Sequence, residues 1–284
     1  NRERAAAMHR MTELVIEPVT PAIGSIVREI DLSDARTLSR IGERLRQLLL
    51  ERQVIFFRDQ RLEPEAQLAL ARLFGEVRPV ASTFPAHPES AYVEILQSAG
   101  RRTGTDIWHA DLTWQREPPR GACLFAVNVP PCGGDTLWAS MTAAYDSLDE
   151  KRQAYLGGLA AVHDWEGPEI LAGLRARPDS EASYREMRLN YPPIEHPVIA
   201  VHPETGRKLV YVNAMYTTRI VGVSRSESAA IIGVLAGLAT VPEWQARFRW
   251  TPGSVAIWDN RAVQHYAVND YHPFPRRMHR VAIF

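Results

Sequence analysis

Ile107–Trp114, with the sequence IWHADLTW, is the stretch around which the rest of the chain can be arranged. In an extended strand, side chains repeat their direction at every second residue, so His109 and Asp111 would project from one face. An imidazole beside a carboxylate can hold a metal ion. The spacing alone is weak support, because a chain with nine histidines often places an aspartate two positions later by chance. The interpretation therefore depends on what else the chain supplies.

A metal held by His109 and Asp111 needs at least one more ligand. His265 lies in a comparable strand setting near a basic cluster. Two histidines and one carboxylate on one face leave adjacent sites open on an octahedral ion, which suits non-haem Fe(II) and oxygen chemistry. The same ligands also bind zinc with a water in the open position. A zinc-dependent hydrolase and a jelly-roll protein that binds a metal or small anion without turnover are therefore alternatives.

A basic cluster follows His265, with Arg276, Arg277 and Arg280 at 11, 12 and 15 residues downstream. Arg276 and Arg280 are separated by an even number of residues, so in an extended segment both could face the pocket while Arg277 faces away. A guanidinium group binds carboxylate or sulfo-oxygen groups through two parallel hydrogen bonds. The cluster therefore predicts two anion-binding side chains near the metal.

The remaining pattern is one of short strands joined by Pro and Gly turns, with helices between them. It predicts a fold that is mainly β with flanking helices, an antiparallel β-sandwich or jelly roll rather than a parallel sheet. We expect one domain, residues 14–284, preceded by an N-terminal extension, residues 1–13, that can stay disordered. The segment 77–98 has little periodicity, and Trp165–Tyr191 is interpreted as an excursion or lid.

Composition narrows the class of protein. The 33 basic and 33 acidic residues cancel, so no net field favours nucleic acid or an anionic membrane surface. No apolar run approaches the roughly 20 residues that span a bilayer. Two cysteines, Cys123 and Cys132, fit a reducing compartment, so the cytoplasm is the expected location.

Four groups of residues carry a resemblance to a known family. They are Trp108-His109-x-Asp111, Gly133-Gly134-Asp135-Thr136-Leu137-Trp138, Trp258-Asp259-Asn260-Arg261 with Gln264-His265-Tyr266, and the arginines from Arg276 to Arg280. Together they resemble the taurine dioxygenase family of Fe(II)/2-oxoglutarate-dependent oxygenases. The resemblance runs from about Leu14 to the C-terminus, with the order and spacing of the motifs preserved.

The resemblance implies a double-stranded β-helix (jelly roll) with Fe(II) held by His109, Asp111 and His265. It assigns Thr136 and Arg280 to the distal carboxylate of the cosubstrate 2-oxoglutarate, and Arg276 to the acidic group of the primary substrate. With O2, such an enzyme converts 2-oxoglutarate to succinate and carbon dioxide. It hydroxylates the carbon next to a sulfonate or sulfate ester, so that an aldehyde and sulfite or sulfate are released. It also implies a homo-oligomer, a dimer or tetramer.

The substrate pocket departs from the taurine pattern. The polar residues expected after Phe74-Gly75-Glu76 and before Trp108 are missing, and more apolar side chains stand in their place. The predicted pocket consists of Val80, Thr83, Phe84, Thr105 and the aromatic Tyr216. A small anion with a larger apolar tail, such as an alkyl sulfate or alkylsulfonate, is therefore the predicted substrate. Taurine itself, or a carboxylate substrate, is the alternative.

Overall fold

The computed structural model describes residues 14–80, 85–98, 105–176 and 178–284, and for residues 168, 169 and 172 only the backbone. The predicted extension 1–13 and the predicted pocket residues Thr83 and Phe84 lie outside this part of the chain. In chain order, the strands are β1 (Val15–Pro18), β2 (Ser25–Arg28), β3 (Val54–Phe57), β4 (Ala86–His87), β5 (Ser90–Ser98), β6 (Gly121–Asn128), β7 (Thr136–Ser140), β8 (Ala160–His163), β9 (Ile194–Pro197), β10 (Ile199–Val201), β11 (Lys208–Val210), β12 (Thr217–Ile220), β13 (Gln245–Phe248), β14 (Val255–Asp259), β15 (Val263–Ala267) and β16 (Arg276–Ile283). The helices are α1 (Ala35–Arg52), α2 (Pro64–Arg72), α3 (Met141–Asp146), α4 (Glu150–Gly157), α5 (Pro168–Arg175), α6 (Ser180–Asn190) and α7 (Arg225–Gly237).

One large sheet of eight strands forms the centre of the fold, in the order β1-β2-β3-β14-β6-β16-β5-β4. Its neighbouring strands are antiparallel, except that β2 and β3 run parallel because helix α1 connects them. Strand β16 lies between β5 and β6. The arginines of β16 therefore have neighbours from both of these strands.

The outer face of the large sheet is covered by helices. Phe57, Val255 and Val281 share a buried cluster with Leu45 and Leu48 of α1, and all five are essentially inaccessible to solvent. Phe57, Val255 and Val281 project from the same face of the sheet, because side chains alternate between the two faces along each strand. Burial of such a helix–sheet interface stabilises the fold by about 25 cal/mol per Å² of apolar surface.

The inner face of the large sheet packs on a second sheet, with the order β13-β7-β15. Trp138 of β7 is fully buried between the two sheets, with its ring centroid 5.3 Å from that of Phe56 and 5.9 Å from that of Trp258. His265 of β15 pairs directly with Trp138. Two facing antiparallel sheets with helices outside confirm the predicted jelly roll.

Two smaller sheets, β12-β8-β9 and β10-β11, extend the fold beside the second sheet. Helix α7 packs near them through the buried Leu235, and its N-terminus is capped as the Ser-x-x-Glu pattern predicts. The Ser224 hydroxyl accepts a hydrogen bond from the backbone N–H of Glu227 at 3.2 Å. No helix in the described ranges combines the length and the apolar character that crossing a membrane requires.

The prediction that segment 77–98 is irregular is wrong for its second half, because β5 occupies Ser90–Ser98. The strand escapes notice since its burial does not alternate cleanly: Val93, Glu94 and Ile95 are consecutive and all buried. A charged residue inside a run of buried positions conceals the period of two on which strand prediction depends. The predicted excursion after Trp165 contains helices α5 and α6.

Candidate metal centre

His109, Asp111 and His265 converge on one point. The Nε2 atoms of both histidines lie 3.8 Å from Oδ1 of Asp111, and the two imidazole centroids are 4.2 Å apart. All three side chains are buried, and their ligand atoms lie within 4.8 Å of one another. In the part of the chain that the structure describes, this is the one cluster of three or more potential ligands that could hold a metal ion.

Backbone pairing brings these distant parts of the chain together. His109 and His265 form an antiparallel bridge, with N–H···O distances of 3.1 Å and 2.7 Å in the two directions. Residues that pair directly across antiparallel strands project to the same side. Asn260 secures Asp111, because its Oδ1 accepts from the Asp111 N–H at 2.7 Å and its Nδ2 donates to the Asp111 carbonyl at 2.9 Å. The sequence motif contains Asn260 but gave no hint of this role.

The electrostatics favour two neutral imidazoles and one carboxylate. Nδ1 of His109 lies 2.7 Å from the Ile107 carbonyl, an arrangement that puts the proton on Nδ1 and leaves Nε2 as a ligand. Burial lowers the pKa of His109, and lowers the pKa of His265 to about 3. Burial alone would raise the pKa of Asp111, but the charge of Arg280 and the two neighbouring imidazoles together outweigh it, and the pKa is lowered. The donor set therefore fits a divalent ion at neutral pH.

Arg280 lies immediately beside this centre. Its Nη1 is 3.5 Å from Oδ1 of Asp111, and its Nε donates to Oε2 of Glu94 at 2.5 Å. Burial alone would lower the pKa of Arg280, but the two carboxylates outweigh it and raise it. Glu94 and Arg280 pair directly across β5 and β16; the side chain of Glu94 is buried, and that of Arg280 is 15% exposed. Sequence reasoning did not identify Glu94, since it falls in the segment interpreted as irregular.

Arg276 lies on the same face of β16 but in different surroundings. Its guanidinium carbon is 5.8 Å from the centre of the Trp250 ring, and its Nε has no hydrogen-bond partner among the described residues. Trp250 in turn donates from Nε1 to Oγ1 of Thr136 at 2.9 Å. A Cβ added to Gly134 would lie 3.5 Å from Cδ of Arg276. Thr136 is therefore linked to Arg276 through Trp250, whereas the family resemblance paired it with Arg280.

The predicted substrate-pocket residues are placed unevenly. Tyr216 is buried, with its ring 6.3 Å from that of His109 and perpendicular to it. The carbonyl of Thr105 accepts from the N–H of Ala267, two residues beyond His265, at 3.2 Å. Val80 is half-buried at the edge beside β5, where its N–H donates to Ala91 at 2.7 Å. Tyr216 and Thr105 therefore lie near the metal ligands, and the described contacts do not link Val80 to them.

A buried polar network that the sequence analysis missed lies behind Asp111. Oγ1 of Thr113 is 2.9 Å from Nδ1 of His163 and accepts from Nδ2 of Asn213 at 3.0 Å. Oδ1 of Asn213 accepts from the N–H of Tyr216 at 2.9 Å. The network therefore connects the Asp111 segment to Tyr216.

Helices α5 and α6 close the region next to Tyr216. Trp165 is fully buried in one apolar cluster with Trp114, Leu174 and Tyr216. Arg188 of α6 contributes to this packing, since its guanidinium carbon lies 4.7 Å from the centre of the Trp165 ring and its Nη1 donates to Asp164 at 3.1 Å. The excursion thus packs against the side of the site that Tyr216 forms.

Comparison with known proteins gives a consistent result. The model of the family described as taurine catabolism dioxygenase TauD, TfdA family matches residues 16–282. A sulfate ester dioxygenase of Pseudomonas putida that depends on α-ketoglutarate (2-oxoglutarate) is 37% identical, over 100% of this chain and 93% of that protein. An alkylsulfatase of Acinetobacter baylyi is 34% identical, over 95% and 85%. The crystal structure of a taurine dioxygenase from Burkholderia xenovorans is similar with a TM-score of 0.79 and 32% identity, over 95% and 89% of the two chains.

Proposed function

Because this chain belongs to the TauD/TfdA family and is therefore an Fe(II)- and 2-oxoglutarate-dependent dioxygenase, we propose that its substrate is an organic sulfate ester or sulfonate with an apolar tail. Hydroxylation of the carbon next to the sulfur-bearing group would release an aldehyde and sulfate or sulfite. Succinate and carbon dioxide are formed from 2-oxoglutarate in the same cycle. The observation that carries the proposal is a buried arginine, Arg280, 3.5 Å from the metal ligand Asp111.

The three ligands determine where this chemistry takes place. Fe(II), when bound by His109, Asp111 and His265, supplies the oxygen activation that the reaction needs. These three side chains would hold the ion, and the hydrogen bonds from His109 to Ile107 and from Asp111 to Asn260 hold their segments in place. Their burial excludes bulk water from the same space.

The distal carboxylate of 2-oxoglutarate is assigned to Arg276 and Thr136. Burial lowers the pKa of the Arg276 guanidinium. Its Nε lacks a hydrogen-bond partner among the described residues. The hydroxyl of Thr136 accepts from Trp250, which leaves its own proton to donate. A buried arginine and a hydroxyl donor at one place form a site for a carboxylate. This assignment exchanges the roles that the family resemblance gave to Arg276 and Arg280.

The anionic group of the primary substrate is assigned to Arg280. With Nε bound to Glu94, the guanidinium keeps a fixed orientation, and its Nη1 lies on the side of Asp111. A sulfate or sulfonate held there would have its attached carbon next to the metal. Proximity of this kind, rather than a separate catalytic group, is what selects the carbon that reacts.

The apolar tail of the substrate is assigned to the neighbourhood of Tyr216. Leu112 and Met215 are partly buried beside Tyr216 in the apolar cluster of this region. Each methylene that moves from water into such a site contributes about 0.8 kcal/mol, or roughly fourfold in affinity. The pocket therefore favours a longer chain over the short polar chain of taurine.

A substrate series tests this proposal. Taurine, alkyl sulfates of increasing length, alkylsulfonates and an aliphatic carboxylate are supplied with saturating Fe(II) and 2-oxoglutarate, and sulfate, sulfite and succinate are measured. A weak visible charge-transfer band, recorded without oxygen, verifies that metal and cosubstrate are bound. We expect kcat/KM to rise about fourfold per methylene over the first few members. A preference for taurine over every longer compound would refute the proposal, and a preference for the carboxylate would support that alternative.

We propose also that residues 14–284 form one catalytic domain and that the chain assembles into a homo-oligomer in the cytoplasm. The family model covers residues 16–282, which supports a single domain.

Helix α7 exposes Val234 at 63% of its surface, together with Ala230 and Gly233, which supports contact with another copy. Both cysteines are free thiols, which supports a reducing compartment. Sedimentation equilibrium gives the number of subunits.

A further inference from the structure

Glu94 is a buried carboxylate that neither binds the metal nor caps a structural element. Its side chain is 7% exposed, and its Oε2 accepts from Nε of Arg280 at 2.5 Å. It stands directly across from Arg280 in the pairing of β5 with β16. A buried charge of this kind is costly to keep away from water, even when it is paired. Its position therefore calls for an explanation at the site that Arg280 serves.

Glu94 lowers the net positive charge of the site that an incoming anion enters. Asp111 and Glu94 carry one negative charge each, and Arg276 and Arg280 one positive charge each, so these four side chains are neutral together. The charge of Fe(II) is matched by the two carboxylates of 2-oxoglutarate. The loaded site is thus close to neutral before the substrate enters, and without Glu94 it would carry one more positive charge.

From this geometry we propose that Glu94 makes the site selective for monoanionic over dianionic substrates, and so separates sulfate esters and sulfonates from phosphate monoesters. The inference rests on the proposed function, in which Arg280 holds the substrate anion. Sulfate and phosphate monoesters have nearly the same tetrahedral shape, so pocket shape discriminates poorly between them. Their charges differ, because a phosphate monoester carries close to two negative charges above its second pKa of about 6.

Electrostatics gives this proposal a quantitative signature. The repulsion between Glu94 and a ligand is proportional to the charge of the ligand, so a dianion is penalised about twice as strongly in free energy as a monoanion. Replacing Glu94 by Gln removes the charge but keeps an oxygen that can accept from Arg280. A loss of packing or of orientation at Arg280 would weaken the binding of both ligands, whereas loss of the Glu94 charge tightens the binding of both, and that of the dianion more.

The test is calorimetric binding to the Fe(II) and 2-oxoglutarate complex without oxygen, at pH 8, with an alkyl sulfate and an alkyl phosphate of the same chain. In the unmodified enzyme we expect the sulfate to bind more tightly. Glu94→Gln should tighten binding of the sulfate by about tenfold and that of the phosphate by about a hundredfold. Glu89→Gln, which removes an exposed carboxylate five residues before Glu94 in the turn between β4 and β5, is the matched control and should change neither.

A second comparison uses the unmodified enzyme and stays informative if Glu94→Gln does not fold. The O-methyl ester of the same alkyl phosphate is a monoanion, and it should bind closer to the sulfate than the dianion does. Equal shifts for sulfate and phosphate in Glu94→Gln would overturn the role of Glu94 alone. So would a dianion that binds the unmodified enzyme as tightly as its monoanionic ester. If the unmodified enzyme binds no alkyl sulfate or sulfonate, the proposed function itself fails and takes this inference with it.

Discussion

Arg276 and Arg280 stand four residues apart on one strand, yet each touches a different set of side chains. Arg276 lies next to the ring of Trp250, which in turn hydrogen-bonds to Thr136. Arg280 lies between Glu94 and Asp111. We therefore expect Arg276→Ala to raise the KM for 2-oxoglutarate. Arg280→Ala should raise the KM for the primary substrate at saturating 2-oxoglutarate. Loss of a charged hydrogen bond costs about 1.5–3 kcal/mol, so each increase should be at least tenfold.

Steady-state kinetics with each substrate varied in turn measures both effects, and anaerobic titration of the charge-transfer band gives the 2-oxoglutarate affinity directly. Arg277→Ala is the matched control, because Arg277 projects from the other face of β16 and should leave both constants unchanged. If Arg280→Ala instead weakens 2-oxoglutarate and spares the substrate, the pairing of Thr136 with Arg280 that the resemblance implied would be restored.

Strand parity was enough to predict which arginines share a face, but not which neighbours they meet. The even spacing of Arg276 and Arg280 is visible in the sequence, and it places both on the inner face of β16. Glu94 and Trp250, which decide their surroundings, lie far away in the chain and reach them only through sheet pairing and a turn. Local spacing contains no information about such partners, so the roles of the two arginines could not be separated.

The turn between β6 and β7 is the element that brings Arg276 and Thr136, the residues proposed for the cosubstrate, together. Gly134 has a φ of +69°, and a Cβ there would lie 3.1 Å from Tyr271 and from Pro130, and 3.5 Å from Arg276. Its N–H donates to Asp270 at 2.8 Å. A positive φ and close neighbours on several sides leave no room for a side chain. The glycine thus allows Arg276 to lie against the turn that leads into Thr136.

We expect Gly134→Ala to weaken 2-oxoglutarate binding as well as folding. The added methyl group strains the backbone by about 1 kcal/mol and crowds Pro130 and Tyr271 at 3.1 Å, so the turn that lies against Arg276 has to shift and the KM for 2-oxoglutarate should rise about tenfold. Gly206→Ala is the matched control, since Gly206 also has a φ of +69° but nothing lies within 4 Å of its added Cβ. The Tm should fall in both variants, and the KM for 2-oxoglutarate should change only in Gly134→Ala. A normal KM in Gly134→Ala would mean that Arg276 does not depend on this turn.

A clean hydrophobic period makes an element readable from the sequence, whereas a buried charge conceals a strand. Helix α1 repeats Leu38, Ile41, Leu45 and Leu48 at helical spacing, and all four are buried on one face of it. Strand β5 was missed because the buried Glu94 interrupts its pattern. Carboxylates normally lie at the surface of a protein. A prediction from hydrophobic periodicity therefore places a buried carboxylate such as Glu94 at an exposed position.

On the scale of the whole molecule, alternation along the strands of the large sheet specifies its two faces. Phe57 packs outward under the helices and Phe56 packs inward on Trp138, although they are neighbours in sequence. The jelly roll could therefore be predicted from short strands and their turns. What could not be predicted is the order of strands in the sheet, because it depends on pairings between residues as distant as Gly121 and Ile283.

The metal centre ties together parts of this fold that are remote in sequence, so metal binding should stabilise the whole chain. His109 and Asp111 precede β6 and His265 lies on β15, and an ion bound to all three disfavours any state in which they separate. At a hundred times its dissociation constant, Fe(II) added without oxygen should raise the unfolding free energy by about 2.7 kcal/mol. For a chain of this size that corresponds to an increase in Tm of about 5 °C.

Calorimetry with and without the ion measures this shift, and Asp111→Asn should abolish it. The matched control is His202→Gln, which disrupts another buried histidine–aspartate pair, His202 with Asp259 at 2.9 Å, away from the metal ligands. Its starting Tm should fall, because it leaves Asp259 with one hydrogen bond fewer, but the increase on adding Fe(II) should persist, because His109, Asp111 and His265 are all retained. An equal increase in Asp111→Asn would mean that Fe(II) stabilises the protein from a site other than His109, Asp111 and His265.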